Sequence, residues 1–165
     1  MTMGPADFLT GVIRPTLQYI AENHPDIRHD ESVENLLLAT ALHESGGLDK
    51  LFQIGGGPAL GVYQIEPNTH ESIWDNYLAY RPDLASTIRG LASQESFTRS
   101  NDRLNNELVT NLAYATAIAR LIYLPKPGKI PDTLQGQANY WKTHYNTEKG
   151  EGTTQQYIAS WTKYI

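Results

Sequence analysis

The sequence predicts a single, mainly α domain of α+β type, with about seven helices and one small β-hairpin or glycine-rich loop. Three observations carry that expectation. Apolar residues recur at three- and four-residue spacing along most of the chain. Capping residues and Gly-Gly and Pro-Gly steps cut this pattern into helix-sized lengths. One stretch, residues 50–66 ("KLFQIGGGPALGVYQIE"), breaks the helical period, with three glycines and a proline between two short apolar runs.

In chain order, a helix near 5–22 carries Phe8, Leu9, Val12, Ile13, Leu17 and Ile20. Pro15 is expected to kink it, lacking an amide donor and crowding the preceding turn. "NHPDIRHD" ends that pattern. A second helix, 32–45, sets Leu36, Leu37 and Ala41 on one stripe, with Asp30 or Ser32 as N-cap and Gly46-Gly47 as its stop. After the insert, helices are expected over 68–80 and 82–92. The longest, 103–124, places Leu104, Leu108, Leu112, Ala115, Ile118, Ala119 and Ile122 on its apolar side. "PKPGKIPD" reads as a loop. A helix near 132–144 carries Leu134, Ala138 and Trp141, and the last, 153–165, opens with the capping-box spacing Thr153-x-x-Gln156. No repeat or composition shift divides 1–165, so it reads as one domain.

Composition narrows the function. Hydrophobic residues at 40% and charged residues at 19% belong to a soluble globular chain. A net charge of -5 leaves no global electrostatic footprint for nucleic acid. The lack of cysteine removes disulfides, thiolate nucleophiles and cysteine-based zinc sites. The opening "MTMGPADFLTGV" lacks the basic and apolar regions of a signal peptide, and no run reaches membrane-spanning length. No stable membrane insertion is expected, and passage across a membrane would need an outside agent.

The tripeptide His-Glu-Ser occurs at 43–45 and again at 70–72. Counting back from Glu44 by three, four and seven gives Ala41, Thr40 and Leu37, so Glu44 shares a largely apolar stripe. It also occupies the last turn, at the negative end of the helix dipole. Desolvation and dipole both disfavour the anion, which predicts a raised pKa and a carboxyl able to act as a general acid. Glu71 is placed oppositely. Asn68 precedes it by three, which is capping-box spacing and stabilises a first-turn anion. Neither copy extends to His-Glu-x-x-His, since position 47 is glycine and position 74 is tryptophan, so no metal or other cofactor is expected.

The order of short motifs adds to this. Glu44-Ser45 ends a helix, "GVYQI" (61–65) follows a glycine-rich stretch, Asn111 lies in a long helix, and "HYNTEKGEG" (144–152) comes late. Across roughly 32–157 this series resembles the lytic transglycosylases and goose-type lysozymes of the lysozyme superfamily, most of all their short phage-encoded branch. The resemblance implies a lysozyme-like catalytic domain whose hairpin or glycine-rich loop lines a cleft. Its substrate would be peptidoglycan glycan strands, bound without cofactor by a monomer.

Residue by residue, the resemblance makes Glu44 the sole acid/base and Ser45 a hydrogen-bonding support for it. Gly61 would allow close approach to the sugar, and Gln64 would hydrogen-bond the saccharide. Tyr63 stands where methionine is usual and would make the pocket wall bulkier and more polar. Tyr145 and Asn146 match the Tyr-Asn motif, with the phenol beside Glu44; His144 replaces its alanine, and its glycine is delayed to Gly150. Asn111 would neighbour the catalytic region. A hydrolytic muramidase would need a second carboxylate, for which Glu66 is the candidate, with Asp49 behind it. A catalytically idle wall-binding virion protein is the reading from another class. With no signal peptide, the expected location is a phage virion or host cytoplasm, with action in the bacterial periplasm and wall. Ten tyrosines and 3 tryptophans against 3 phenylalanines suit a half-wet saccharide groove, although packing is expected for two of Trp74, Trp141 and Trp161.

Overall fold

The computed structural model describes residues 3–53, 55–97, 102–147 and 150–165. Among these the protein is mainly helical. The first rod, α1, runs through Pro5–Phe8, a π-helical turn at Leu9–Ile13, and Arg14–Asn23. The Pro15 distortion is taken up in the widened turn just ahead of the proline, where the chain no longer needs the amide that proline lacks.

Helix α2, Glu31–Ser45, begins at Asp30, whose carboxylate accepts the Val33 N–H at 3.1 Å. It stops at Gly46, whose φ of +65° only glycine adopts freely, while the Gly47 N–H reaches back to the Leu42 carbonyl at 2.8 Å. Every residue from Leu36 to Leu42 is buried, so α2 is enclosed on all sides along its middle.

Helix α3 spans Pro67–Asn76, followed by a separate 3-10 turn at Leu78–Tyr80; α4 spans Pro82–Arg89. The expected 103–124 helix is instead two, α5 at Asp102–Thr110 and α6 at Leu112–Tyr123. Asn111 breaks it. Its side-chain oxygen accepts the Tyr114 N–H at 3.0 Å, an N-cap geometry that competes with continuation of the helix. Helix α7, Leu134–Trp141, passes directly into a π-helical turn, Lys142–Asn146. Helix α8, Thr154–Tyr164, opens with both hydrogen bonds of the expected capping box.

Helix α6 is the central element, packed against α1, α2, α3 and α5, with Tyr114 to Leu121 all buried. A second cluster, Ala39, Ala138, Trp141 and Tyr157, joins α2, α7 and α8. Polar clips fix the register. Glu34 accepts Arg14 at 3.0 Å and meets His29 at 2.8 Å, locking α1 to the start of α2. The described residues of the insert at 50–66 form no extended hairpin. Among the described residues, two isolated antiparallel bridges, Phe52 with Leu60 and Leu60 with Ile65, hold it.

Candidate active site

Glu44 lies in the last turn of α2 and is partly exposed, above Leu37, Thr40 and Ala41, which are fully buried. Burial pushes its carboxyl up to about 7; the Trp141 indole N–H, favouring the anion, acts in the opposite sense. Among the described residues no cation and no second carboxylate contributes to that shift. His43 is itself held below its usual pKa by burial, with a backbone contact to Gln156 acting in the opposite sense. Near neutral pH it therefore adds no positive charge beside Glu44.

Four aromatic side chains surround the carboxyl. The phenols of Tyr123, Tyr145 and Tyr157 are all pushed up, first by burial and further by the nearby Glu44 charge. Trp141, the fourth, stacks on Tyr157 with centroids 5.1 Å apart and meets the His43 ring edge-on at 4.7 Å. Tyr123 stacks between Tyr145, at 5.3 Å, and Tyr140, at 5.7 Å. The Trp141 indole N–H is buried and makes no hydrogen bond of normal geometry among the described residues; it approaches Glu44 without closing on it.

The glycine-rich insert reaches this nest through one turn. Leu60 and Ile65 exchange both backbone hydrogen bonds at 3.0 Å, closing a loop of Gly61 to Gln64. Gln64 takes the left-handed conformation (φ 49°) and donates its side-chain amide to the Gly61 carbonyl at 2.9 Å. The Tyr145 hydroxyl donates to the Tyr63 carbonyl of that loop. Tyr145 is carried by the π-helical turn after α7, which the Lys142 ammonium secures. It donates to Asn146 Oδ1 at 2.7 Å, to the Gly150 carbonyl at 2.9 Å and to the Gly152 carbonyl at 2.7 Å.

Several expected site residues are placed otherwise. Ser45 is fully buried; its hydroxyl donates to the Ala41 carbonyl and accepts the Leu48 N–H, so it supports the turn and does not bond Glu44. Tyr63 is not a pocket wall. Its ring is fully buried against Phe8, and its hydroxyl pairs with Thr116 Oγ1 at 3.0 Å. Gly61 is needed for protein packing: at φ +76°, a Cβ there would stand 1.9 Å from the Leu108 carbonyl oxygen. Asn146 turns its amide towards Lys142 and the 147–152 loop, of which residues 148 and 149 lie outside the described residues. Asn111 caps α6 and donates to the Leu91 carbonyl.

Glu66 is exposed at the N-cap of α3, and Glu71 is exposed beyond its first turn, so the expected Asn68–Glu71 capping box does not form. Pro67 takes the first helical position instead, where its fixed φ is favourable. His70 is buried, bonded to Asn105 and to the Tyr114 hydroxyl. Among the described residues no cluster of three histidine or acidic side chains is arranged for a metal ion. Two surface concavities, about 770 Å³ beside Phe52, Leu60 and Asn106 and about 420 Å³ beside Ile73, Tyr77 and Lys126, are not lined by Glu44.

Around Glu44, then, the structure gathers Tyr145 and, through its hydroxyl, the Gly61–Gln64 loop. Trp141, Tyr123, Tyr157 and Lys142 join them without having been singled out as site residues. For Trp141 and Tyr145 the one available signal was their four-residue separation, which sets both on one side of a helical segment. Comparisons of the chain with family models, characterised proteins and solved structures give no match.

Proposed function

We propose that this protein is a peptidoglycan lytic transglycosylase with a lysozyme-like domain, cleaving the β-1,4 bond between N-acetylmuramic acid and N-acetylglucosamine. The observation that carries the reading is Glu44: a partly exposed carboxyl raised to about 7 by burial, with no second carboxylate among the described residues acting on it. At that value a neutral acid and its anion are both well populated near neutral pH, which suits a group that must give and then take a proton.

Protonated Glu44 donates to the leaving glycosidic oxygen as the bond breaks. The substrate's own acetamido oxygen attacks the anomeric carbon, so no protein nucleophile is required. Anionic Glu44 then removes the proton of the C6 hydroxyl, whose oxygen bonds the anomeric carbon as the acetamido oxygen leaves it, closing a 1,6-anhydro ring and restoring the acetamide. A hydrolytic route needs a base to activate water, and exposed Glu66 contributes nothing to the Glu44 shift. A phage lysis or virion-associated role belongs to the same proposal.

Digestion of purified murein tests it. The expected products carry 1,6-anhydromuramyl ends in the mass spectrum. Reducing-end muramic acid as the sole product would replace the transglycosylase by a hydrolase, and intact murein would leave the idle wall-binding reading.

A further inference from the structure

We infer that the Trp141 indole N–H receives the charge of Glu44 after its proton has left, through a hydrogen bond that is open before the reaction and closes during it. The inference rests on the reading of Glu44 as the acid. Buried donors are almost always paired, so an indole N–H sealed from water without a partner among the described residues needs a reason.

The other donors facing Glu44 are committed elsewhere. Tyr145 donates to the Tyr63 carbonyl, and Tyr157 to the Leu36 carbonyl at 3.4 Å. Thr40 gives its only hydroxyl hydrogen to the Leu36 carbonyl at 2.7 Å. Tyr123 must therefore be the donor in its 2.9 Å contact with Thr40, which uses the third phenolic hydrogen. His43 turns Nδ1 to Ser160. Among these described donors the indole hydrogen alone is uncommitted.

Its ring is also held. Tyr157 covers one face, His43 meets it edge-on, and Gly152 lies so close that a Cβ there would stand 2.7 Å from Trp141 Cη2. The indole cannot turn away to seek another acceptor. A neutral carboxyl is a weak acceptor and a carboxylate a strong one, so this contact strengthens as the Glu44 O–H bond breaks. In that step the proton moves to the glycosidic oxygen, which also keeps the electron pair of the cleaved C–O bond; Trp141 retains its hydrogen throughout. An interaction stronger in the transition state than in the ground state lowers the barrier.

Two variants test this. Trp141→Phe removes the N–H together with part of the ring, and 3-benzothienylalanine at position 141 replaces only the N–H by sulfur. Glu44 is titrated by carbon-13 NMR of its carboxyl without substrate, and turnover is measured on murein. Both variants are expected to raise the Glu44 midpoint by about one unit or more. They should lower kcat by about tenfold or more with KM within about twofold of the parent. The benzothienyl protein should do so at unchanged Tm. An unmoved Glu44 midpoint in the benzothienyl protein overturns the inference, and so does a moved midpoint with unchanged kcat. Inactivity of the parent protein on murein is a separate failure, that of Glu44 as an acid, because the substrate-free titration reads the indole contact by itself.

Discussion

The hydroxyl of Tyr145 donates to the backbone carbonyl of Tyr63, 82 residues earlier in the chain. This bond fastens the π-helical turn after α7 to the Gly61–Gln64 loop and fixes the phenol beside Glu44. Tyr145→Phe leaves that carbonyl unpaired and should cost about 1–2 kcal/mol in urea unfolding. Turnover should fall about tenfold as the loop loses its anchor. Parental kcat in a folded Tyr145→Phe protein would remove this joint from the catalytic arrangement.

The Glu44 carboxyl links activity and stability to pH in the same window. Its folded pKa of about 7 lies above the ordinary 4.5, so the folded state holds more protons than the unfolded state between those values. The neutral form's contribution is complete below about 4.5 and is lost as pH rises through about 7, by about 3 kcal/mol in all. Glu44→Gln should flatten this slope, equal or exceed the parent in thermal stability above pH 7, and abolish lysis of outer-membrane-stripped cells. The parent's kcat should decline above about pH 7 as the acid ionises. Lysis by Glu44→Gln at the parental rate would discard Glu44 as the acid.

Gly61 tests the packing of the insert. A side chain there meets both an unfavourable φ of +76° and the Leu108 carbonyl oxygen at 1.9 Å. Gly61→Ala should destabilise by about 3 kcal/mol or more, read as a lower urea midpoint. Gly55, whose added Cβ meets nothing within 4 Å despite its φ of +88°, is the control, and Gly55→Ala should cost only about 1 kcal/mol. Equal losses at the two positions would contradict the close approach of the insert to α5.

Lys142 makes three hydrogen bonds to the segment that follows it. Lys142→Met keeps much of the aliphatic length and removes all three, so amide exchange over 150–152 should accelerate, with a stability loss of about 1–3 kcal/mol. The Glu44 surroundings depend on Tyr145 in the same turn, so activity should fall with it. Unchanged exchange would mean that the loop is held by something other than the ammonium.

The helical plan was legible because burial imposes a period on the sequence. In α2, Leu36, Leu37 and Ala41 are core residues as their spacing indicated, and the predicted rise in the Glu44 pKa follows from the same stripe. The break at Asn111 was hidden for a related reason. Leu108 and Ala115 both remain buried across it, so the apolar pattern runs on while the backbone does not. At 67–71 two helix starts competed, and the fixed φ of Pro67 prevailed over the Asn68–Glu71 spacing. The inward turn of Tyr63 had no sequence signal. A four-residue loop has no periodicity to state its face, and the partners of Tyr63, Phe8 and Thr116, lie 55 and 53 positions away in sequence. The aromatic enclosure of Glu44 was equally hidden, since it is assembled from α2, α6, α7 and α8 and no local pattern records it.

A π-helical turn holds one residue more than the helix around it, so the segment from Lys142 to Asn146 behaves as an insertion that the fold has kept. Wound as an ordinary α-helix with the same residues, the segment would instead swing everything after it by about 100° around the axis. Tyr145 would then point away from the Tyr63 carbonyl, with no atom of its side chain altered. What this segment preserves is a winding. Thr143 is exposed and free to vary in kind, yet the widened turn that holds it sets the angle at which the phenol meets the acid.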